Sequence, residues 1–414
     1  MGNLTDYKQT EIGRIPKEWE VVRLGDKEVA EIRKGKSINE INRFDNVAFI
    51  PMEFVPDTGI FVNFEIRSIK DVKSFTYCEK GDLLLAKITP SLENGKQGIV
   101  PDTVPNGFAL TTTEVFPIVC SGIERLFLFY VLKHSKFRNK IIASMTGTTG
   151  RQRATKISVQ NLLLPLPPLP EQRKIAEILS TVDEAIEKVD EAIAKTERLK
   201  KGLMQNLLTK GIGHKEFKDT EIGRIPKEWK VVRLKDAEEM KLIMGQSPPG
   251  KSYNRKGEGI PFIQGKAEFG SIYPSPVLWT SQPTKIAEEG DILISVRAPV
   301  GEVNICPYRL CIGRGLAAIR IRKGSNMFYF YWFQKVRQHI EKIGKGSTFK
   351  AITKNELTNL FLPFPPLPEQ KKIAEILSTV DKRLELLKNK KEKLKRIKKG
   401  LMNDLLTGKR RVKV

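Results

Sequence analysis

The chain has 414 residues and carries 72 Lys and Arg against 48 Asp and Glu, a formal net charge of +24. That length supports two or three domains with proper cores, and that excess of positive charge points to a polyanion, most simply nucleic acid. Four cysteines without a CxxC pair, three scattered histidines, no apolar run of membrane-span length and no signal-peptide pattern argue against a disulfide framework, a local zinc motif and a membrane protein, and fit the cytoplasm.

The chain opens on a frame that returns later. Residues 10–26 and 220–236 differ at only two positions, and both contain Ile-Pro-Lys-Glu-Trp followed by Val-Val-Arg-Leu. Trp19 and Trp229 are expected as core anchors, with short strands at 21–24 and 231–234. A variable region follows each opener, at 27–160 and 237–358, with β-rich, turn-rich texture. Strands are expected at 47–51, 82–88, 110–119, 260–263, 291–296 and 316–321. A diverged Gly-Asp-Leu/Ile-Leu motif occurs in both regions, at Gly81-Asp82 and Gly290-Asp291. Each region ends in a helical patch, 125–142 and 328–343, and a small polar loop, 146–153 and 345–350.

A second frame closes each half. Residues 164–183 run Leu-Pro-Leu-Pro-Pro-Leu-Pro-Glu-Gln-Arg-Lys-Ile-Ala-Glu-Ile-Leu-Ser-Thr-Val-Asp, and residues 362–381 repeat them at an offset of 198. The prolines hold the chain extended, and Pro170 stands where a helix can begin, with Glu171 at the positive end of its dipole. Apolar residues then recur every seven: Ile175, Val182, Val189, Thr196 and Leu203, with a second row at Ile178, Ala185, Ala192 and Leu199. The second copy gives Ile373, Val380, Leu387, Leu394 and Leu401. Each pattern predicts a helix of about 35 residues, about 50 Å long. Residues 183–201 carry six acids and five bases, and residues 381–400 three acids and ten bases. A near-neutral helix and a strongly basic one prefer each other, so an intrachain pair is favoured over two homodimeric zippers or two core helices. Residues 208–220 read as the connector between halves.

Motifs for chemistry are thin. Residues 245–252, Gly-Gln-Ser-Pro-Pro-Gly-Lys-Ser, match the Walker A pattern, but Pro248 and Pro249 have no N–H to cradle phosphate and a loop sequence follows. Residues 56–73 fit a nuclease carboxylate–lysine pattern only loosely, and the second half has no counterpart. No methyltransferase motif and no Ser-His-Asp or Cys-His arrangement is visible. The residues expected to contact DNA are Arg33, Lys34, Lys36, Lys87, Thr148, Thr149, Arg151 and Arg153 in the first half. In the second half they are Gln246, Lys251, Tyr253, Arg255, Arg297, Ser347, Thr348 and Lys350.

The paired Ile-Pro-x-x-Trp openers, the paired Leu-Pro-x-Pro-Pro-Leu-Pro-Glu-Gln helix starts and the Lys-Gly-Leu-Met…Leu-Leu-Thr ends resemble the specificity subunit of type I restriction-modification systems across the whole chain. The resemblance implies an α+β fold of two β-rich target-recognition domains separated by an antiparallel pair of long helices. It sets domains at 1–160 and 211–358 and Pro-rich segments with spacer helices at 161–210 and 359–414. It implies a non-catalytic subunit without cofactor, each half reading half of a split double-stranded DNA site. Two modification (methyltransferase) subunits and restriction subunits with nuclease and translocase activity are the implied partners, with no membrane. The helix residues expected to serve spacing and docking are Glu171, Gln172, Ile175, Val182, Val189, Leu203, Glu369, Gln370, Ile373, Val380, Leu387 and Leu401. The alternative is an enzyme acting on DNA through an unrecognised catalytic site.

Overall fold

The computed structural model describes residues 7–41, 43–148, 150–343 and 351–413. Its contacts divide the chain into a first unit, residues 1–191 with 389–414, and a second unit, residues 192–388. Both long helices therefore change unit midway.

In the first unit the opener forms a hairpin, Tyr7–Thr10 against Gly13–Pro16, then a strand, Glu20–Arg23. That strand pairs antiparallel with Leu163–Leu166, inside the proline run. Pro165 lacks a donor, and a two-stranded ribbon tolerates it where a central strand would not. The second unit repeats both pairings, Phe217–Thr220 with Gly223–Pro226 and Lys230–Arg233 with Phe361–Phe364. The two frames seen in sequence are thus halves of one structural element.

Between them lie two sheets per unit among the described residues. The first unit has Glu65–Ser68, Asn46–Ile50, Phe108–Thr111 and Thr76–Glu79 in one sheet, and Ala30–Ile32, Val115–Cys120, Leu83–Ala86 and Gln97–Ile99 in the other. The second unit has Met240–Met244, Leu316–Ile321, Ile292–Ser295 and Val303–Ile305 in one, and five strands in the other. The expected strand at 110–119 is two strands in different sheets, because the chain turns at Thr112–Glu114, where the Glu114 N–H donates to Thr112 Oγ1. The run Leu83–Ala86 is buried on every residue because it is central: Leu83 and Leu85 face the helices, while Leu84 faces the other sheet. Ile292, Ile294 and Leu293 divide in the same way. The expected patch 125–142 is two helices, Arg125–Lys133 and Ser135–Ala143, broken at an extended His134 whose Nδ1 accepts from the Lys136 N–H. The corresponding helix of the second unit, Asn326–Ile343, is continuous.

The long helices are Leu169–Lys210, 42 residues, and Leu367–Leu405, 39 residues. At 1.5 Å per residue they span about 63 and 58 Å. They are longer than the heptad count implies, because their first turns begin inside the proline run and their last turns pass the final seam residue.

In the first unit, Ile175, Ala176 and Leu179 share a core with Leu405 and Leu406, and Asp183 and Asp190 pair with Lys398 and Lys391, both at 2.5 Å. In the second unit, Ile373, Ala374 and Leu377 share a core with Leu208, while Asp381 and Glu197 pair with Lys200 and Lys388 at 2.6 and 3.3 Å. Partner numbers fall as own numbers rise, so in each unit the helices run antiparallel. The pairing is chiefly acid on the first helix with base on the second, as the charge asymmetry implies. Val189 is buried in the seam; Val182, Leu203, Val380, Leu387 and Leu401 are half-buried. Leu199 departs from its expected row and is 54% exposed, because a 3.6-residue turn drifts off a strict seven-residue repeat.

The Pro-Glu-Gln step fastens the frame. The Trp19 indole N–H donates to Glu171 at 3.0 Å, and the same carboxylate receives Arg411 at 2.8 Å. Gln172 accepts from the Glu124 N–H at 2.8 Å, just ahead of the helix Arg125–Lys133, and donates to the Pro167 carbonyl at 2.8 Å. In the second unit, Trp229 donates to Glu369 at 3.0 Å, with His214 and the Ile212 N–H on the other oxygen. Gln370 accepts from the Ser325 N–H and donates to the Pro365 carbonyl. Gly211, at φ +64°, closes the first long helix; a Cβ there would lie 2.4 Å from Glu369 Oε1.

Glu171→Ala leaves the buried Trp19 N–H without an acceptor and should destabilise the first unit by about 1–3 kcal/mol. Glu171→Gln, which keeps an acceptor, should cost less. Hydrogen exchange across the first unit measures both, and equal protection in wild type and alanine variant contradicts this reading of the clamp.

Candidate nucleic-acid interface

In both units the variable region is built around the aspartate of the Gly-Asp motif. Asp82 accepts from the N–H groups of Arg33 at 2.5 and 2.7 Å and from the Glu79 N–H at 2.8 Å. Asp291 accepts from Arg320 at 3.0 and 2.9 Å and from the Glu288 N–H at 2.9 Å. Both carboxylates are almost fully buried. They anchor neighbouring strands, and each neutralises an arginine.

The first-unit residues expected at DNA therefore separate into two groups. Arg33 is taken by Asp82 and Glu79, and its bonds to Asp82 push its pKa further up. Lys36 donates to Tyr77 Oη at 2.8 Å and meets Glu79 at 3.3 Å; both hold its ammonium charged. Arg153 makes two bonds of 3.0 Å to Glu114, which likewise raise its pKa. Lys87 is half-buried, 5.3 Å from the centre of the Phe116 ring. Lys34, Thr148 and Arg151 are exposed, their side chains without an ion pair among the described residues. Thr149 lies outside the described residues.

In the second unit Gln246, Lys251, Arg255 and Arg297 are exposed. Tyr253 does another job: its hydroxyl donates to the Pro248 carbonyl at 2.9 Å and its ring packs 4.9 Å from Phe262. The loop 245–252 ends in a short turn, Gly250–Ser252, and a strand, Tyr253–Asn254, so the helix that a P-loop needs is not there. Ser347, Thr348 and Lys350 lie outside the described residues.

Arg297 opens onto a cavity of about 240 Å³ that it shares with Ser247, Gln264, Lys266 and Arg314. Gln264, Lys266 and Arg314 were not anticipated from sequence. The signal lay in Gly313-Arg314-Gly315, an arginine between glycines at a strand end. A Cβ on Gly313 or Gly315 would meet the Gln264 backbone at 2.9 or 2.7 Å, so only glycine lets these turns touch. A second cavity, of about 450 Å³, is lined by Lys241, Lys285, Arg320 and Lys354 with Glu288.

The expected docking residues Glu171, Gln172 and Gln370 are buried and Glu369 half-buried, each spent on contacts within its own unit. Ile175 and Ile373 are core residues. Among the described residues no three His, Cys, Asp or Glu side chains gather as metal ligands, and no helix is long and apolar enough to cross a membrane.

Duplicated β-rich domains bearing basic loops on a helical frame define a recognition subunit. The chain belongs to the type I restriction-modification DNA specificity family, whose domain it matches twice, at residues 16–196 and 226–396. It is 42% identical to the MjaX specificity subunit of Methanocaldococcus jannaschii over 99% of this chain and 97% of that one. It is 30% identical to the MjaVIII type I restriction enzyme specificity subunit of the same organism, over 99% and 96%. A solved structure from work on assembly and conformational transition of the type I restriction-modification system aligns with TM-score 0.60 and 30% identity over 95% of this chain and 99% of that chain. The S subunit from M. genitalium shares the fold, with TM-score 0.59 at 15% identity over 94% and 96%. Specificity subunits are the non-catalytic DNA-recognition members of their systems, and this chain is one.

Arg33→Ala strands the buried Asp82 carboxylate, so it should destabilise the first unit by about 3 kcal/mol or more. Arg151→Ala, which breaks no described pair, should leave thermal unfolding within about 0.5 kcal/mol of wild type. Equal melting of the two variants contradicts the division between paired and free cations.

Proposed function

We propose that this chain reads a bipartite double-stranded DNA site, one half with residues 1–160 and the other with residues 211–358. The paired long helices set the gap between half-sites and dock two modification subunits, to which restriction subunits add nuclease and translocase activity. The observation that carries the reading is the contrast between frame and insert. Trp–Glu clamp, Gln clamp, proline strand and helix pairing recur in both units, while the loops between them differ in sequence and charge. A repeated support carrying two dissimilar readers suits a target with two dissimilar halves.

Exposed cations without an ion pair among the described residues, such as Lys34, Arg151, Lys251, Arg255 and Arg297, supply phosphate contacts, which position the protein, and a smaller number of base contacts, which choose the sequence. With roughly 8 to 12 phosphates neutralised, log K against log salt should have a slope of about −7 to −11. A slope shallower than about −3, measured with the protein in complex with its modification subunits, overturns polyanion recognition.

Inserting one heptad after Glu191 and another after Lys388 preserves the seam and lengthens the pair by about 10 Å. The gap between half-sites should grow by about 3 base pairs at 3.4 Å each, with the half-site sequences unchanged. Mapping methylated bases in a host carrying wild type or variant is the measurement. A folded, active variant that keeps the original gap sinks the spacer role.

A further inference from the structure

We infer that the cavity holding Arg297 and Arg314 is the pocket through which the second unit reads a guanine, and that the first unit has no equivalent, so the two half-sites differ chemically at this position. The inference deepens the bipartite-reader proposal and rests on it.

The first argument is the absence of counter-charge. Arg33, Arg153 and Arg320 each hold a carboxylate. Arg297 and Arg314 have no carboxylate partner among the described residues, yet they line the same 240 Å³ cavity. Lys266 stands beside them, 3.5 Å from Glu302, whose closer partner is Arg337 at 2.7 Å. Two like charges held around one small space repel, and an acceptor placed between them relieves that repulsion.

The second argument is rigidity. The Arg314 N–H donates to Ser247 Oγ at 3.2 Å. Its neighbours are pinned too: the Gly313 N–H donates to Ile263 at 2.8 Å and the Val296 N–H to Gly315 at 2.9 Å. Arg297 is bridged to Ala351. Phosphate is held at open surface by a lysine or by an arginine fork alike, with no need for a shaped concavity. Two guanidinium forks on fixed backbone, in a concavity with Gln264 and Ser247, suit a flat edge with defined acceptor positions. The donors select among bases: guanine offers two acceptors in the major groove, O6 and N7, whereas adenine and cytosine each present an amino donor there.

The third argument comes from the first unit. Strand register equates Ile50 with Ile263, Thr111 with Ile312, and Ala86 with Ser295. Lys266 then corresponds to Glu53, Arg314 to Thr113, Arg297 to Ile88 and Gly315 to Glu114. Glu114 binds Arg153, so among the described residues the same locus carries carboxylates and no free guanidinium pair. Among the described residues one fold thus carries two arginines without a carboxylate partner at this place in one copy and a carboxylate–guanidinium pair in the other.

The test uses the chain assembled with its modification subunits and duplexes carrying its mapped site. Each guanine is replaced in turn by 7-deazaguanine, which lacks the N7 acceptor. In wild type, one such replacement in one half-site should weaken binding roughly 5- to 150-fold. Arg314→Gln or Arg297→Gln should abolish that sensitivity and relax that one base position in methylation mapping, leaving the other half-site unchanged. Arg314→Lys, which keeps the charge and loses the fork, should keep the salt slope and lose the guanine preference. The inference is overturned if no guanine is required, or if both glutamine variants weaken all sequences equally and each flattens the salt slope by about 1, the mark of a phosphate contact. Bipartite recognition survives either result. Loss of all sequence-specific binding by wild type would instead overturn the bipartite reading itself.

Discussion

A carboxylate largely withdrawn from water at the start of each long helix, Glu171 fully and Glu369 partly buried, is the constraint on which the frame depends. Glu171 and Glu369 are removed from water at a substantial desolvation cost, so each must be surrounded by donors. Glu171 has the Trp19 indole and Arg411; Glu369 has the Trp229 indole, His214 and the Ile212 N–H. Those donors come from the opener and from the segment just past the end of the other long helix. A single side chain therefore fastens stretches hundreds of residues apart, with |i−j| of 240 between Arg411 and Glu171. The neighbouring glutamine ties the same turn to the start of the variable domain's helix. Helix, opener and reader are positioned by two consecutive residues.

A second polar fastening lies three turns along. The Tyr130 hydroxyl donates to Asp183 at 2.8 Å, and Asp183 also meets Lys398 of the opposing helix. Tyr331, Asp381 and Lys200 repeat the arrangement at 2.8 and 2.6 Å. Each aspartate joins a reader helix to both spacer helices. An apolar seam alone tolerates sliding by a heptad; a charged pair at a fixed depth penalises it, which is the use of polar groups best attested in paired helices. The orientation of each reader on its pair is thereby specified together with the register.

The readers obey a different economy of charge. Where an arginine faces a carboxylate, as at Arg33–Asp82 and Arg320–Asp291, it holds strands together and has little left for a ligand. Where glycines bring turns into contact and no carboxylate pairs with the arginine among the described residues, as at Arg297 and Arg314, the charge faces outward. Net charge alone does not separate these cases, since every one of these arginines counts equally toward +24.

The long-range outline was legible in sequence because it is carried by repetition and periodicity, which are one-dimensional. The doubled openers, the doubled proline–helix frames and the heptad rows from Ile175 and Ile373 specify two equivalent halves and two long helices, and their unequal charge indicates which helix pairs with which. The Gly-Asp motif marked a central strand in each reader. Tertiary structure decided what no local pattern contains. The proline run became a strand because the opener supplied its partner from some 140 residues away. Lys36 and Arg153 proved to be paired because Glu79 arrives on another strand and Glu114 on the turn between two strands, and Gln264, Lys266 and Arg314 joined Arg297 because three turns converge. A cation's availability depends on its neighbours in space, and sequence gives only its neighbours along the chain.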